Sequence, residues 1–491
     1  MKTLFTPLFI LFAATCFAQY TTPGDGSLYT LEDLVALSDG VVEGGSGEFE
    51  LNSALTIAET DTLSVENAEL AIAEDVLITV AGALITADAL FTQIECCDSY
   101  YTGFRFEETA SATLEFTTVE YGGGMQVITP NFTMTDCVVR NNVGGQSDFS
   151  AISFSAGSPV VSNTSFFDNE FSAISTPANG AVAPQVINCN IQNNVTANVN
   201  RPQLNFGPSG ADTTRVIDCL LMGAAESTDA GNISMALLTG GDGHIEIRDC
   251  QIIGARYGVN IYGGNLHSKV TGSTLVDNNI QNEPMLGGSG ISITGFGDNN
   301  QHEIRNNVFQ NNLWGITLIG NAQANLGEID GIGPGENVFG GNGNNGEIYA
   351  LFNNTENEVP AEGNCWIEEN PDATPEEVED VISHVVDDPE LGEVFFLPLG
   401  DCDGVSSTSD LEFADFATAY PNPSNGVVNI DFKEQVNAIA VYNSKGQIAH
   451  QVSSTTNTNR LHINLQNLPS GVYLLRMDTP KGSVAEKLII H

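Results

Sequence analysis

The sequence predicts an all-β chain: a right-handed parallel β-helix followed by a small Ig-like β-sandwich. Three observations predict it. A degenerate motif recurs through the middle of the chain at intervals of 20 to 34 residues. The runs between its copies are short and β-rich, with Gly or Asn at the turns, where φ > 0 is needed. The last block then changes character: four of the six lysines lie after position 430, and alternating strands there are separated by Gly turns.

The repeat is read from VINCNIQNN (from Val186), VIDCLLMG (from Val216), IRDCQIIG (from Ile247), VTGSTLVDNN (from Val270) and IRNNVFQNN (from Ile304). Each has an apolar residue, two variable positions, a small or amide residue, and a second apolar stretch. Extended in both directions, the register gives one column: Thr117, Cys137, Asn163, Cys189, Cys219, Cys250, Ser273, Asn307, Asn337 and Asn364. One interval is one coil of a solenoid, with insertions at the corners. Parallel strands stack about 4.8 Å apart, so column residues form ladders. The segment from Leu55 to Phe91 reads as tighter rungs. A solenoid also needs its ends covered. A short helix around Tyr29–Gly40 serves one end. A helix from Pro375 to Val386, with an acidic first turn, serves the other, and Trp366 plugs the last rung.

Composition bounds the function. The 491 residues carry 15 Lys plus Arg against 62 Asp plus Glu, a net charge of −47. That excludes a nucleic-acid surface, which needs clustered cations. It also disfavours anionic lipid and polysaccharide unless divalent cations bridge them. At the N-terminus, Lys2, the apolar run Leu4–Ala14 and Cys16-Phe17-Ala18 read as a cleavable signal peptide, with Gln19 as the mature start. No other run has the length and apolarity of a membrane span.

Cations are scarce between residues 20 and 410, where there are one Lys and seven Arg. Half of these eight cluster. Four positions before successive column residues stand Arg215, Glu246, Lys269 and Glu303. Two positions before stand Arg248, Thr271 and Arg305, and His244, His267 and His302 lie just upstream. Apolar Val216, Ile247, Val270 and Ile304 separate the two sets, so both should point outward. These residues, with Trp314 as an aromatic platform, are the candidate carbohydrate-binding set. Opposite charges on adjacent rungs also simply stabilise one another, by about 0.2–1 kcal/mol per pair. Lys269 and Arg248 are the candidate catalytic bases. Tyr257 and Tyr262 are further aromatic candidates.

Cys189, Cys219 and Cys250 stack in a straight column, which does not converge tetrahedrally on a metal. They read as buried fillers. Cys96, Cys97, Cys365 and Cys402 are the disulfide candidates. No metal site and no cofactor are expected. The acidic turns from Gly295 and from Glu328 are candidate Ca²⁺ loops but lack regular ligand spacing.

The C-terminal block is similar to the sorting domain of the type IX secretion system of Bacteroidota. Tyr420-Pro421-Asn422-Pro423, Gly426, Val441-Tyr442-Asn443 before Gly446, and Leu468 through Gly471 to Tyr473 carry the match. The resemblance implies passage to the periplasm and across the outer membrane, with the secretion machinery and a sortase-like peptidase as partners. Tethering to surface lipopolysaccharide, or release, follows. The middle resembles the right-handed β-helix superfamily of pectate lyases and polygalacturonases, the pectin-lyase-like solenoid, which fixes fold better than activity. Polygalacturonase motifs are missing: Gly243-His244-Ile245 lacks the second Gly of Gly-His-Gly. The divisions expected are a signal peptide (1–18), a cap (19–50), the β-helix (51–400), a linker (401–416) and the sorting domain (417–491). The function expected is that of an extracellular or cell-surface protein that contacts carbohydrate, adheres or builds structure. The alternative is a polysaccharide lyase.

Overall fold

The computed structural model describes residues 19–94, 99–146, 149–402, 417–421, 424, 426–432, 438–442, 448–453, 460–469, 471–479 and 482–490. The signal peptide, most of the linker, Cys96 and Cys97 lie outside the described residues, as do Asn422, Pro423, Asn443 and Gly446 of the sorting motif. Two compact units divide at residues 405 and 406.

The first unit is the expected parallel β-helix. Among the described residues, one sheet has 14 parallel strands, from Tyr20–Thr21 to Ile382–Ser383. Beside it run two further parallel stacks, separated by a bend. One rung shows the pattern: Gly231–Ala236 lies in the long sheet, Gly243–Arg248 in the second stack, and Gln251–Ile253 in the third. At the N-terminal end the 11-residue strands Thr62–Ile72 and Ala83–Gln93 run through both stacks, with Asn67 and Asp88 at positive φ where the bend falls.

The bend between second and third stacks explains the sequence column. One residue at each bend takes positive φ: Asp136, Asn163, Asn188, Asp218, Asp249, Gly272, Asn306 and Glu336. Asn, Asp and Gly tolerate this conformation best. The next residue points inward at a place where the ladder of backbone bonds is broken, and its side chain repairs it. The Cys219 thiol donates to the carbonyls of Val186 at 3.5 Å and Ile217 at 3.2 Å. Asn337 donates to Ile304 O at 2.8 Å and to Asn364 Oδ1 at 2.9 Å. The inward slot between Cys137 and Cys189 belongs to Thr164, not to Asn163. Asn163 is the positive-φ residue, and Cys137 N donates to Thr164 Oγ1 at 3.4 Å. The cysteines of this column are buried free thiols. Burial pushes the Cys219 and Cys250 thiols well above their ordinary range, and that of Cys137 up to about 12. They are fillers with little thiolate character.

Phe116 breaks the bend rule. It has φ 47° and is 61% exposed, so it carries the cost of the left-handed conformation without burying its ring. Phe116→Asn should therefore raise stability by about 1 kcal/mol. Thermal or denaturant unfolding reads this directly, and an unchanged midpoint would contradict it.

A second inward ladder runs through Asn142, Asn169, Asn194, Gln203, Asn232, Asn278, Asn312 and Asn342. Consecutive members are joined by side-chain bonds of 2.7 to 3.2 Å. Gln203 and Asn232 come from the long sheet and bridge rungs where the third stack ends in Gly223 and Gly254.

Both ends are covered. Helix α1 (Leu31–Leu37) has a Thr30/Asp33 capping box and buries Leu31 and Leu34. At the far end Trp366 stacks on Phe339 at 5.0 Å, which stacks on Phe309 at 4.9 Å. The Cys365–Cys402 disulfide closes this region. Helix α2 is shorter than expected: it spans Pro375–Glu379, not Pro375 to Val386. Beyond it Ile382–Ser383 pairs as a strand with Leu351 and Phe352, and His384 then accepts from Val394 N at 2.9 Å and pairs with Glu379 at 2.6 Å.

The second unit has two antiparallel sheets. One joins Ala417–Tyr420, Val427–Phe432 and Arg460–Asn464. The other joins Ile448–Ser453, Ala438–Tyr442, Gly471–Thr479 and Gly482–Ile490. Val428, Ile430, Val441, Ile463, Leu475 and Leu488 form its core. The described motif residues are structural here. Gly426 has φ 87° with the Gln466 backbone against it, where a Cβ would sit at 2.8 Å. Tyr473 donates to Pro469 O at 2.8 Å. Leu468 packs on the same core, whereas Tyr420 ends its strand exposed, with Arg460 over its ring at 5.9 Å.

Candidate functional site

The second stack carries the predicted charges in register. Arg215 pairs with Glu246, Glu246 with Lys269, and Lys269 with Glu303. Arg248, Thr271 and Arg305 form the parallel column two residues on. Both columns face outward, because Val216, Ile247, Val270 and Ile304 between them are fully buried.

The charges form two clusters, each built on one Glu. Arg215 Nε lies 3.1 Å from Glu246 Oε2, and Arg248 Nε lies 3.5 Å from Glu246 Oε1. Arg248 also reaches Asp249 at 2.7 Å. Lys269 Nζ and Arg305 Nε meet the same oxygen, Glu303 Oε1, at 3.2 and 3.0 Å. The two candidate bases, Lys269 and Arg248, are thus both engaged in ion pairs.

The histidines separate. His244 and His267 stack face to face, 5.0 Å apart and within 8° of parallel, on the outer surface. Partial burial, then the neighbouring His244, hold His267 below the usual imidazole range, against the pull of Asp242. His302 does not join them. It pairs in register with Ser268, not His267, and is 3% exposed. Its Nδ1 lies 2.9 Å from Ser268 Oγ and its Nε2 3.2 Å from Asn300 Oδ1. The reason is parity: His244 and His267 stand six residues before Cys250 and Ser273, whereas His302 stands five before Asn307.

Trp314 is also placed elsewhere. It belongs to the strand Trp314–Gly320 of the 14-stranded sheet. Its indole donates to Pro284 O at 3.2 Å and packs on Tyr349 and Phe352 at 4.7 and 5.1 Å. Tyr262 packs against Phe296 at 4.8 Å.

What the charged face does hold is a cleft of about 580 Å³. Its outward lining includes His267 beside Gln301 and the column Lys269, Glu303 and Asn325 on successive coils, with Gln323, Glu358 and Pro360 completing it. Ile332, on the inserted turn after Leu326, forms a wall, and Arg305 fixes that turn by donating to Ile332 O at 2.6 Å. Ser268 and His302 contribute from the core side. Gln301 was findable in the sequence, six residues before Asn307 as His267 is before Ser273. Gln323, Asn325 and Glu358 were not, because the strand Ala324–Asn325 is short and long insertions follow it.

Among the described residues no three or more His, Cys, Asp or Glu side chains converge as metal ligands. No helix among them is long and apolar enough to cross a membrane.

Residues 418–491 match the secretion system C-terminal sorting domain family. With this type IX tail, the chain is a protein secreted to the cell surface or extracellular space. No curated protein is similar enough in sequence to count as a relative. Among solved structures, the periplasmic alginate epimerase AlgG is similar, with a TM-score of 0.47 and 12% identity over 75% of this chain and 83% of that one. So is the tailspike protein gp49 from Acinetobacter baumannii bacteriophage Fri1, a capsular polysaccharide depolymerase. Its TM-score is 0.30, with 11% identity over 96% of this chain and 78% of that one. At these identities neither likeness speaks to the chemistry of the cleft.

Proposed function

We propose that this secreted β-helix protein binds polysaccharide in the cleft over the coils from His267 to Pro360. One observation carries the reading: a cleft of ligand size lined by His267, Lys269, Gln301, Glu303, Gln323, Asn325 and Glu358 on a rigid stack. Carboxamides and carboxylates are matched donors and acceptors for sugar hydroxyls. The coils repeat about every 4.8 Å, close to the length of one pyranose residue, so a glycan lying along the axis meets about one coil per sugar. The sorting domain completes the reading: a sortase-like peptidase removes it, and the β-helix is left at the surface, tethered to lipopolysaccharide or released.

Affinity electrophoresis of the full chain in gels containing single polysaccharides tests the binding. At least one polysaccharide should retard migration. Gln301→Ala combined with Gln323→Ala should weaken that retardation about ten- to thirty-fold, for two hydrogen bonds of about 1 kcal/mol each. If no polysaccharide retards the chain, the reading fails. Accumulation of unsaturated products, seen by ultraviolet absorbance with Ca²⁺ and lost in Lys269→Ala or Arg248→Ala, would replace binding by lyase activity.

A further inference from the structure

The cleft's charge arrangement points to a class of ligand. Lys269 and Arg305 stand on neighbouring outward columns of adjacent coils, and both contact one oxygen of Glu303. Lys269 is 48% exposed at its side chain and Glu303 27%, so the pair sits at the open surface of the cleft. On the coil before Lys269, Glu246 likewise holds two cations, Arg215 on Oε2 and Arg248 on Oε1. In a chain of net charge −47, this is the face where cations gather, and its cations are met by the chain's own carboxylates.

An anionic ligand that sought Lys269 or Arg305 would have to displace Glu303 and then lie beside it. Glu358, exposed on the same lining, adds a second carboxylate. A like charge next to a bound anion repels it, and that repulsion selects against the wrong partner. A hydroxyl-rich uncharged chain meets no such penalty. It can donate to Glu303 and Glu358 and exchange bonds with Gln301, Gln323 and Asn325.

We propose that Glu303 is a specificity-determining residue that neutralises Lys269 and Arg305 and so sets the cleft for uncharged glycans over polyanions. This rests on the cleft being the glycan site.

The test uses Glu303→Gln in the full chain. Gel mobility is compared in sodium polygalacturonate and in uncharged dextran, galactomannan and xyloglucan. At 0.15 M salt the screening length is about 8 Å, so the chain's overall negative charge is damped and the charges in the cleft decide. The parent chain should be retarded by an uncharged polymer and not by polygalacturonate. Glu303→Gln should gain affinity for polygalacturonate by about tenfold, the worth of one hydrogen bond to a charged group. That gain should fall as salt rises, and a second change, Lys269→Gln, should reverse it. Circular dichroism confirms that each variant is folded.

Retardation of the parent chain by polygalacturonate overturns the proposal, as does a folded Glu303→Gln variant that gains nothing. If no uncharged polymer binds yet Glu303→Gln gains polyanion binding, the polysaccharide-binding function fails while the charge role of Glu303 stands.

Discussion

Replacing Asn307 with alanine should lower the unfolding free energy of the β-helix by about 4 kcal/mol. Asn307 is fully buried on the inside of the bend. Its Oδ1 accepts from Ser273 N at 3.0 Å. Its Nδ2 donates to Val270 O and Arg305 O, both at 2.9 Å, and to Asn337 Oδ1 at 3.1 Å. Alanine leaves one N–H and two carbonyls without these bonds in the dry interior, at about 1–3 kcal/mol for each group left unsatisfied. Local relaxation recovers part of this, which gives the figure above. Serine should cost about half as much, because a hydroxyl in this slot does part of the same work. Ser273 accepts from Cys250 N at 3.1 Å and donates to Thr271 O at 3.2 Å. Guanidinium unfolding followed by tryptophan emission is the measurement, since Trp366 lies in the ring stack with Phe309 two residues from the substitution. A loss below about 1 kcal/mol for alanine would mean that the ladder is dispensable.

That ladder was largely legible in the sequence, and its failures are instructive. Periodicity placed Cys189, Cys219, Cys250, Ser273, Asn307, Asn337 and Asn364 in one slot, because backbone repair demands a small or amide side chain there. It placed Asn163 in the same slot because Asn suits two neighbouring positions, the left-handed bend and the inward site. Only the pairing of Val138 with Ser165 separates them. The second ladder was visible only as Asn pairs. Its continuation through Gln203 and Asn232 needs residues from another sheet, which no spacing along the chain reveals. The site shows the same division. The register of Arg215, Glu246, Lys269 and Glu303 followed from counting back from the column, and those residues do form one face. Trp314 lies on a different sheet, which is a fact about the corner between stacks and not about any local pattern. The wall at Ile332 comes from an insertion, and insertions carry no period.

The expectation that His302 shares the outer face with His267 fails by one residue, and that residue has a measurable consequence. Burial, then the nearby His267, holds the His302 imidazole at about 3, against a usual value of 6.5. Between those two values the unfolded chain carries a proton on this residue that the native chain excludes. Unfolding therefore takes up a proton, and stability rises with pH across the window. Acidification from pH 6.5 to 3 should remove on the order of 5 kcal/mol through this residue, at up to about 1.4 kcal/mol per pH unit. The many carboxylates also titrate toward the acid end, so the difference between parent chain and variant is the useful quantity. His302→Gln keeps an amide that can bond to Ser268 and Asn300 and does not titrate. Its unfolding free energy, measured in guanidinium at half-unit steps from pH 7 to 4.5, should fall less steeply than that of the parent chain. Parallel curves would mean that His302 is hydrated in the native state, and would return it to the outer face that the sequence first suggested.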